Sequence, residues 1–477
     1  MRHAARWGSV GGVLALTGLC GTAAWTLHLN GPATAGGRRV MTWYAICWVI
    51  FAIAAACARL VPRRAAVALI LLGGLALQLL AMNWRPTTTD DWYRYIWDGT
   101  VQAHGIDPYR YAPTDPALEP LRDPWIFPGA AGVPGPARGH PEYCGFTQPG
   151  QGCVRINRPD VHTIYPPVAE AAFLGLHAVS PQQHRLRAAQ ALAAALAVLA
   201  TVVLLWVLRA HGRDPRWAAW WAWCPTVWLE CGNNAHIDVL GVVFLLGTLG
   251  LVARAAPTTR RIAAAGVLFG AAVAVKLIPA LVGPALLARR AVLLLGAAAA
   301  LVAVGYLPHV IAVGTHVFGY LPGYLHEEGY SGEKRFGVLR LLVGDSAAPV
   351  LAVLVIAAVA GWAWWMTRTR PAVDGAVLIA GVTFAVIEPS EPWYGLLLIA
   401  LAAAACRPEW LLVAAAAYPV YSRDFLGVGD TAMQQRCYLP AALLVAVVAL
   451  VRFRRPAHEG GAPDPISARR PAPPRPR

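Results

Sequence analysis

Apolar runs of about 18–22 residues recur from end to end of this chain, and each is long enough to cross ~30 Å of hydrocarbon as an α-helix. A bilayer admits only helices and closed barrels, because every backbone N–H and C=O must be satisfied inside the protein. The alternating strands of a barrel, each about 10 residues long, are missing. The chain is therefore expected to be all-α, a polytopic membrane bundle of about 12–14 transmembrane helices. Its charged fraction agrees: 14% of residues, against roughly 25% for a soluble domain.

The basic, then apolar N-terminus reads as a retained first helix rather than a cleaved signal, since many spans follow it. Further candidate spans cover 40–58, 65–82, 163–180, 188–208, 217–231, 236–253, 262–288, 291–311, 347–366, 372–388, 392–406, 409–422 and 436–453. Four regions follow. N-terminal spans occupy 1–82, a long polar loop 83–162, and the main bundle 163–453 with a second loop at 312–346. A Pro- and Arg-rich tail at 454–477 has the composition of disorder.

The formal charge of +15 is almost all arginine. On a soluble domain it would suggest nucleic acid. Here the arginines gather at span ends, where they set orientation and meet anionic lipid, so no nucleic-acid partner is expected. Arg2 and Arg6, then Arg59, Arg63 and Arg64, mark cytoplasmic ends, which puts loop 83–162 outside. The middle of the chain conflicts with this. If every candidate crosses, "RAHGRDPR" (209–216) falls outside. If two are re-entrant, it returns inside and "GNNAHID" (232–238) moves out. Segments 163–180, which begins with Pro166-Pro167, and 262–288, which carries Lys276, Pro279 and Pro284, are the ones expected to deviate.

Loop 83–162 is far longer than the ~15 residues beyond which structureless connections are uncommon. It opens with "RPTTTDDWYRYIWDGTVQAHGIDPYRY". Asp91, Tyr95, Asp98 and Gln102 follow at i, i+4, i+7 and i+11, one face of a helix. Gly105 and Pro108 stop it. A carboxylate just outside the membrane can accept the proton of a hydroxyl that attacks an activated carbon. The plainer alternative is a solvated face or pairing with Arg94. A phosphate leaving group would need positive charge, for which Arg94, Arg110, Arg155, Arg158, Lys276 and Lys334–Arg335 are the candidates. Cys144 and Cys153, two of nine cysteines, lie in the same loop. A disulfide and two free thiols are equally compatible with that placement.

"DDWYRYIWDGTVQAHGIDPYRYAP" followed by "INRPDVHTIYPPVAEAAF" resembles the bacterial membrane glycosyltransferases of family 87, within the GT-C superfamily. The acid–aromatic–Gly–Pro–Tyr order is similar to that of the mannosyltransferase of glycosylphosphatidylinositol assembly. "WCPTVWLECGNNAHIDVLG", "AVKLIPALVGP" and "EPSEPWYGLLL" resemble further segments of family 87, in the same order. The resemblance implies a GT-C-like bundle with surface helices in its first external loop. It implies inverting transfer of a sugar, mannose or a related hexose or pentose, from a polyprenyl-phosphate donor to a glycolipid or cell-envelope glycan, on the extracytoplasmic face of the inner membrane. The general base maps onto Asp91 or Asp90, with Asp91 preferred. Candidate donor- and substrate-binding residues are Arg94, Tyr95, Asp98, Tyr109, Arg158, Tyr165, His236, Asp238, Lys276, Glu391, Trp393 and Tyr394. His236 and Asp238 read equally well as a satisfied polar pair at a helix end. The Gly/Pro-rich insert at 128–152 departs from the family pattern.

No cofactor is expected, and no metal, because a lipid monophosphate has no diphosphate to chelate and no third acidic ligand is spaced for Mg²⁺. The competing reading is a transporter or flippase for a lipid-linked sugar, which intramembrane Lys276 and Pro-broken helices would suit. The absence of an inverted repeat and the size of the aromatic-acid loop argue against it. A non-catalytic assembly subunit is a third reading, and it requires the acids to be dispensable.

Overall fold

A computed structural model describes residues 2–29, 37–86, 88–128, 146–148, 152–253, 257–287, 291–330 and 335–454. The insert's centre, Cys144, Lys334 and the C-terminal tail from 455 lie outside the described residues. The protein is an all-α polytopic membrane bundle; one short hairpin, β1 (Phe146–Gln148) with β2 (Gly152–Val154), is its only described sheet. Among the described residues, seven helices are long and apolar enough to cross a membrane, and four apolar helices are shorter.

Helices α1 (Arg2–Leu29), α2 (Gly37–Cys57) and α3 (Arg63–Met82) form a consecutive packed group. After α3 comes α4 (Asp91–Ala103), then α5 (Pro167–Val179) and α6 (Arg185–Ala210). The N-terminal part of α6 is tied to the end of α3: Gln190 Nε2 donates to Trp84 O at 2.9 Å and Arg187 to Asn83 O at 3.4 Å. The chain thus leaves and re-enters the bundle at one end, and α5 does not cross it. Pro166 and Pro167, which deny α5 an upstream helical extension, are the local reason.

That return resolves the charge conflict. At the foot of α6, Arg216 donates to the backbone oxygens of Arg59 and Val61, and Arg63 lies 3.9 Å from Asp214. "RAHGRDPR" therefore shares an end with Arg59 and Arg63. Arg213 pairs there with Asp374 at 2.6 Å, and Arg452 with Glu409 at 2.7 Å. Asn233, by contrast, donates to Ala81 O and Trp84 O, so "GNNAHID" sits at the opposite end.

Between these ends, the expected span 217–231 is broken into a 3-10 turn, two short helical pieces and a π turn over Trp228–Asn233. Next come α7 (Asp238–Val252) and α8 (Thr259–Val275). The expected span 262–288 breaks at Lys276, whose backbone is extended (φ −158°, ψ 145°), and continues as a 3-10 stretch over Ile278–Leu286. Helix α8 lies against α9 (Ala291–Val313) through Gly266 and Gly270. A Cβ on either would meet Leu294 O at 2.3 Å or Ala298 O at 2.5 Å, the small-residue contact that lets membrane helices approach closely.

The longer remaining helices are α10 (Leu321–Glu327), α11 (Gly337–Val343), α12 (Ala348–Met366), α13 (Ala372–Ile387), α14 (Gly395–Ala405) and α15 (Asp430–Arg454). Helix α14 is buried along its whole length, at the centre of the bundle. Helices α9 and α12 instead expose long apolar side chains such as Val304, Ile311, Val350 and Leu354, as surfaces facing lipid must.

Candidate active site

Helix α4 begins at Asp91, as its spacing predicts, with Asp90 at the N-cap position and left-handed Gly105 (φ +74°) two residues beyond its end. It is more enclosed than a helix lying on a membrane surface. Trp92, Tyr95, Trp97 and Asp98 are buried against the loop and α5. Gly99 allows this: a Cβ there would meet Phe173 O at 2.3 Å.

The two ends of α4 do different things. Asp98 is clamped by Arg94 Nε at 2.9 and 3.0 Å. Burial pushes its carboxyl up, and Arg94 opposes that shift. Beside it, Glu170 accepts from Thr163 and Gln102, both at 2.8 Å. Tyr95 stacks on Phe173 with centroids 4.6 Å apart, and Tyr109 donates to Tyr165 O. Asp98, Glu170, Tyr95, Phe173 and Tyr109 form the wall behind the site. Asp90 and Asp91 instead face a cavity of ≈ 590 Å³. Asn157 Nδ2 bridges them, donating to Asp90 Oδ1 at 2.6 Å and to Asp91 Oδ1 at 2.7 Å. Burial and the adjacent Asp91 push the Asp90 carboxyl up to about 7.

Of the candidates from sequence, Asp90, Asp91, Arg94, Arg158, Tyr165, Lys276, Glu391, Trp393 and Tyr394 line this one cavity, although they come from four separate stretches of chain. Tyr95, Asp98, Tyr109, His236 and Asp238 stand behind its walls. Lys276, freed from helical geometry by the break after α8, pairs with Asp238 at 2.8 Å and lies 4.6 Å above the Tyr394 ring. Its acidic partner, Asp238, stands at the start of α7. His236 is fully buried and stacks on Trp393 at 4.2 Å between ring centroids.

The far wall comes from loop 312–346. Arg158, in the left-handed region (φ 49°), clamps Glu327 of α10 through Nε at 2.9 Å and Nη2 at 2.8 Å. Arg335 contacts Glu328 and lies 3.6 Å from Glu391. Burial and the Glu391 charge push Glu328 up to about 7. Tyr324 and Tyr394 meet through their hydroxyls. Below this polar rim the cavity is apolar, lined by Leu277, Ile278, Leu281, Phe384 and Ile387.

The candidate list from sequence lacks Asn157, Tyr324, Glu327, Glu328 and Tyr421. The stretch "GYLPGYLHEEGY" (319–330) carries the same mixture of acids and aromatics as the first loop, which was the available signal. Asn157 had none beyond its place in "INRPDVH". Among the described residues, no three His, Cys, Asp or Glu side chains are grouped as a metal ion would require.

Chemically, the arrangement offers a pair of acids on one rim, cations on the others, and an apolar floor reaching into the bundle. The sequence pattern of glycosyltransferase family 87 matches residues 163–390. The matched stretch contains Glu230, His236, Asp238 and Lys276, and it begins after α4. No curated protein and no solved structure matches the chain.

Proposed function

The chain belongs to glycosyltransferase family 87 over residues 163–390, and on that premise we propose that it moves a sugar, mannose first among the candidates, from a polyprenyl-phosphate donor to an acceptor hydroxyl. Asp91 is the general base. It takes the hydroxyl proton as the acceptor oxygen bonds to the anomeric carbon from the face opposite the phosphate. The anomeric C–O bond breaks with its electron pair passing to the phosphate oxygen, so configuration inverts. Asp90, its carboxyl pushed up to about 7 by burial and the adjacent Asp91, orients the acceptor by donating or accepting a hydrogen bond.

The observation that carries this reading is the Asn157-bridged Asp90–Asp91 pair at the rim of a cavity with an apolar floor. A base must reach solvent-borne hydroxyls, while a polyprenyl chain must remain in hydrocarbon. Lys276 and Arg158 supply positive charge at the boundary between the two zones, where the donor phosphate would sit. Each is engaged by an acid, so the phosphate would share or displace Asp238 or Glu327.

The basic end of the molecule, with Arg59, Arg63, Arg213, Arg216 and Arg452, lies opposite the cavity. By the positive-inside rule this supports a cytoplasmic basic end and an extracytoplasmic active site in a bacterial inner membrane. The acceptor is then a glycolipid or a cell-envelope glycan.

The test is purified protein with a panel of radiolabelled polyprenyl-phosphate sugars and a membrane lipid extract as acceptor. Transfer from one member, giving a product of inverted anomeric configuration, is expected. Transfer only from nucleotide sugars, or retention of configuration, would overturn the reading.

A further inference from the structure

His236 is the least explained residue near the cavity. It is 0% exposed, and its imidazole lies between two carboxylates without a hydrogen bond to either. Its Nε2 is 3.3 Å from Glu230 Oε2, its Nδ1 is 3.8 Å from Asp91 Oδ2, and both nitrogens are unsatisfied. A buried polar group left unpaired costs about 1–3 kcal/mol. The fold spends further strain to hold this one: Ala235, immediately before it, is a non-glycine residue at φ +61°, a conformation that persists where surroundings over-determine it. The π turn Trp228–Asn233 brings Glu230 back over the ring, with His236 N donating to Glu230 O at 2.9 Å.

Glu230 and Trp393 are fixed around the ring. Glu230 accepts from Asn234 Nδ2 at 2.8 Å and from the Tyr418 hydroxyl at 2.9 Å. Trp393 stacks on the imidazole face at 20° between planes. On the other side, Asn157 holds Asp91 Oδ1 at 2.7 Å, which leaves Asp91 Oδ2 toward the imidazole. The movable member is Asp91, at the cavity rim with 15% of its side chain exposed. Catalytic hydrogen bonds are often long in the empty site and tighten when substrates bind.

We propose that His236, anchored by Glu230 and Trp393, is a positioning residue for Asp91, its Nδ1–H closing onto Asp91 Oδ2 when the acceptor fills the cavity. The inference rests on the reading of Asp91 as the base. His236 takes no proton from the acceptor. With Asn157 on one oxygen and His236 on the other, the carboxylate is held in one rotamer, its remaining lone pair aimed at the acceptor hydroxyl. With Nε2–H toward Glu230 and Nδ1–H toward Asp91, the arrangement is a base oriented by a ring that a second acid orients in turn, and it links α4 to the matched region 163–390.

Two amides separate the ring's two ends. In His236→Asn the amide nitrogen takes the place of Nδ1, keeping the donor toward Asp91. In His236→Gln it takes the place of Nε2, toward Glu230. The expected result is kcat within about tenfold of the parent for His236→Asn and about 10²-fold lower for His236→Gln, with the KM for the donor unchanged in both. The reverse ranking would overturn the proposal. The second measurement combines His236→Gln with Asp91→Asn. A residue acting through Asp91 costs nothing more once Asp91 is gone, whereas an independent structural role multiplies the losses, and a multiplied loss would also overturn the proposal. Should the histidine variants lose their melting transition, Glu230→Gln carries the test, with kcat about tenfold lower, KM unchanged, and no added loss on Asp91→Asn. Near-parental activity of Asp91→Asn would instead defeat the reading of Asp91 as base. An inactive Asp91→Asn beside a fully active His236→Gln would defeat the positioning role alone.

Discussion

The two ends of the bundle use the same residue types to opposite effect. At the basic end acids meet arginines directly: Arg213 with Asp374, Arg216 with Asp214, Arg452 with Glu409. Arg63 shares Asp214 with Arg216 there, and Arg59 lies over the Trp217 ring. At the cavity end the balance reverses. Asp90 and Asp91 share one neutral donor, Asn157, and Glu328 and Glu391 share Arg335. A carboxylate paired to a guanidinium is a tie between elements. A buried carboxylate held by an amide beside a second carboxylate is pushed toward holding a proton, as Asp90 is. Under the proposed function, the surplus of carboxylates at one end and of arginine at the other would let a single chain carry both an orientation signal and a reactive site.

The largest expected effect exposes that contrast. Asp91→Asn removes proton-accepting capacity with almost no change in shape and should lower turnover by about 10²–10⁴. Asp374→Asn removes a partner of Arg213 at the other end. It should lower the melting temperature while leaving kcat within about threefold, since it alters no contact at the developing charges. Steady-state transfer at matched expression, with melting in detergent alongside, reads both. Comparable kcat losses from the two variants would mean that the cavity-end acids are structural as well.

The next effect is smaller and depends on pH. Burial and the charge of Asp91 push the Asp90 carboxyl up to about 7 in the folded protein, against roughly 3.9 in an unfolded chain. The native state therefore binds more protons than the unfolded state between about pH 4 and 7, and stability falls as pH rises through that window. Above it the penalty is complete. Asp90→Asn carries no such penalty, so its melting temperature should gain on the parent between pH 5 and pH 8. A difference that stays constant over that range would show that Asp90 is not held protonated by its surroundings.

Much of the architecture was legible in the sequence because it follows from local pattern. The apolar runs gave the bundle, and the 3.6-residue spacing from Asp91 gave α4 with its stop at Gly105. The Pro pairs and Lys276 marked where helices fail to cross or break. What escaped depends on tertiary contacts. The π turn at Trp228–Asn233 and the left-handed Ala235 carry no residue signature, because the surrounding bundle imposes them on ordinary side chains. Asp98 shares a helix face with Asp91 by spacing, yet Arg94 and Glu170 claim it, and no periodicity reports which acid meets a partner. Asn157 acquires its place only when the loop folds back 66 residues onto Asp91.

The last test expects no effect, and it sharpens the comparison by asking whether a cation sits among the cavity-end acids. Adjacent acids such as Asp90 and Asp91 also suit enzymes that hold a divalent ion on a nucleotide diphosphate. Mg²⁺ requires nearly octahedral oxygen ligation and usually borrows ligands from a diphosphate. Asn157 turns its amide nitrogen, not its oxygen, toward both carboxylates, and an N–H donor occupies the direction from which an ion would bridge them. A monophosphate donor can be neutralised by Lys276 and Arg158 through N–H donors alone. Transfer should therefore be unchanged after exhaustive chelation. Complete loss, restored by one divalent ion, would mean that Asn157 flips and the two aspartates hold a cation. At least one of them would then be a ligand rather than a base.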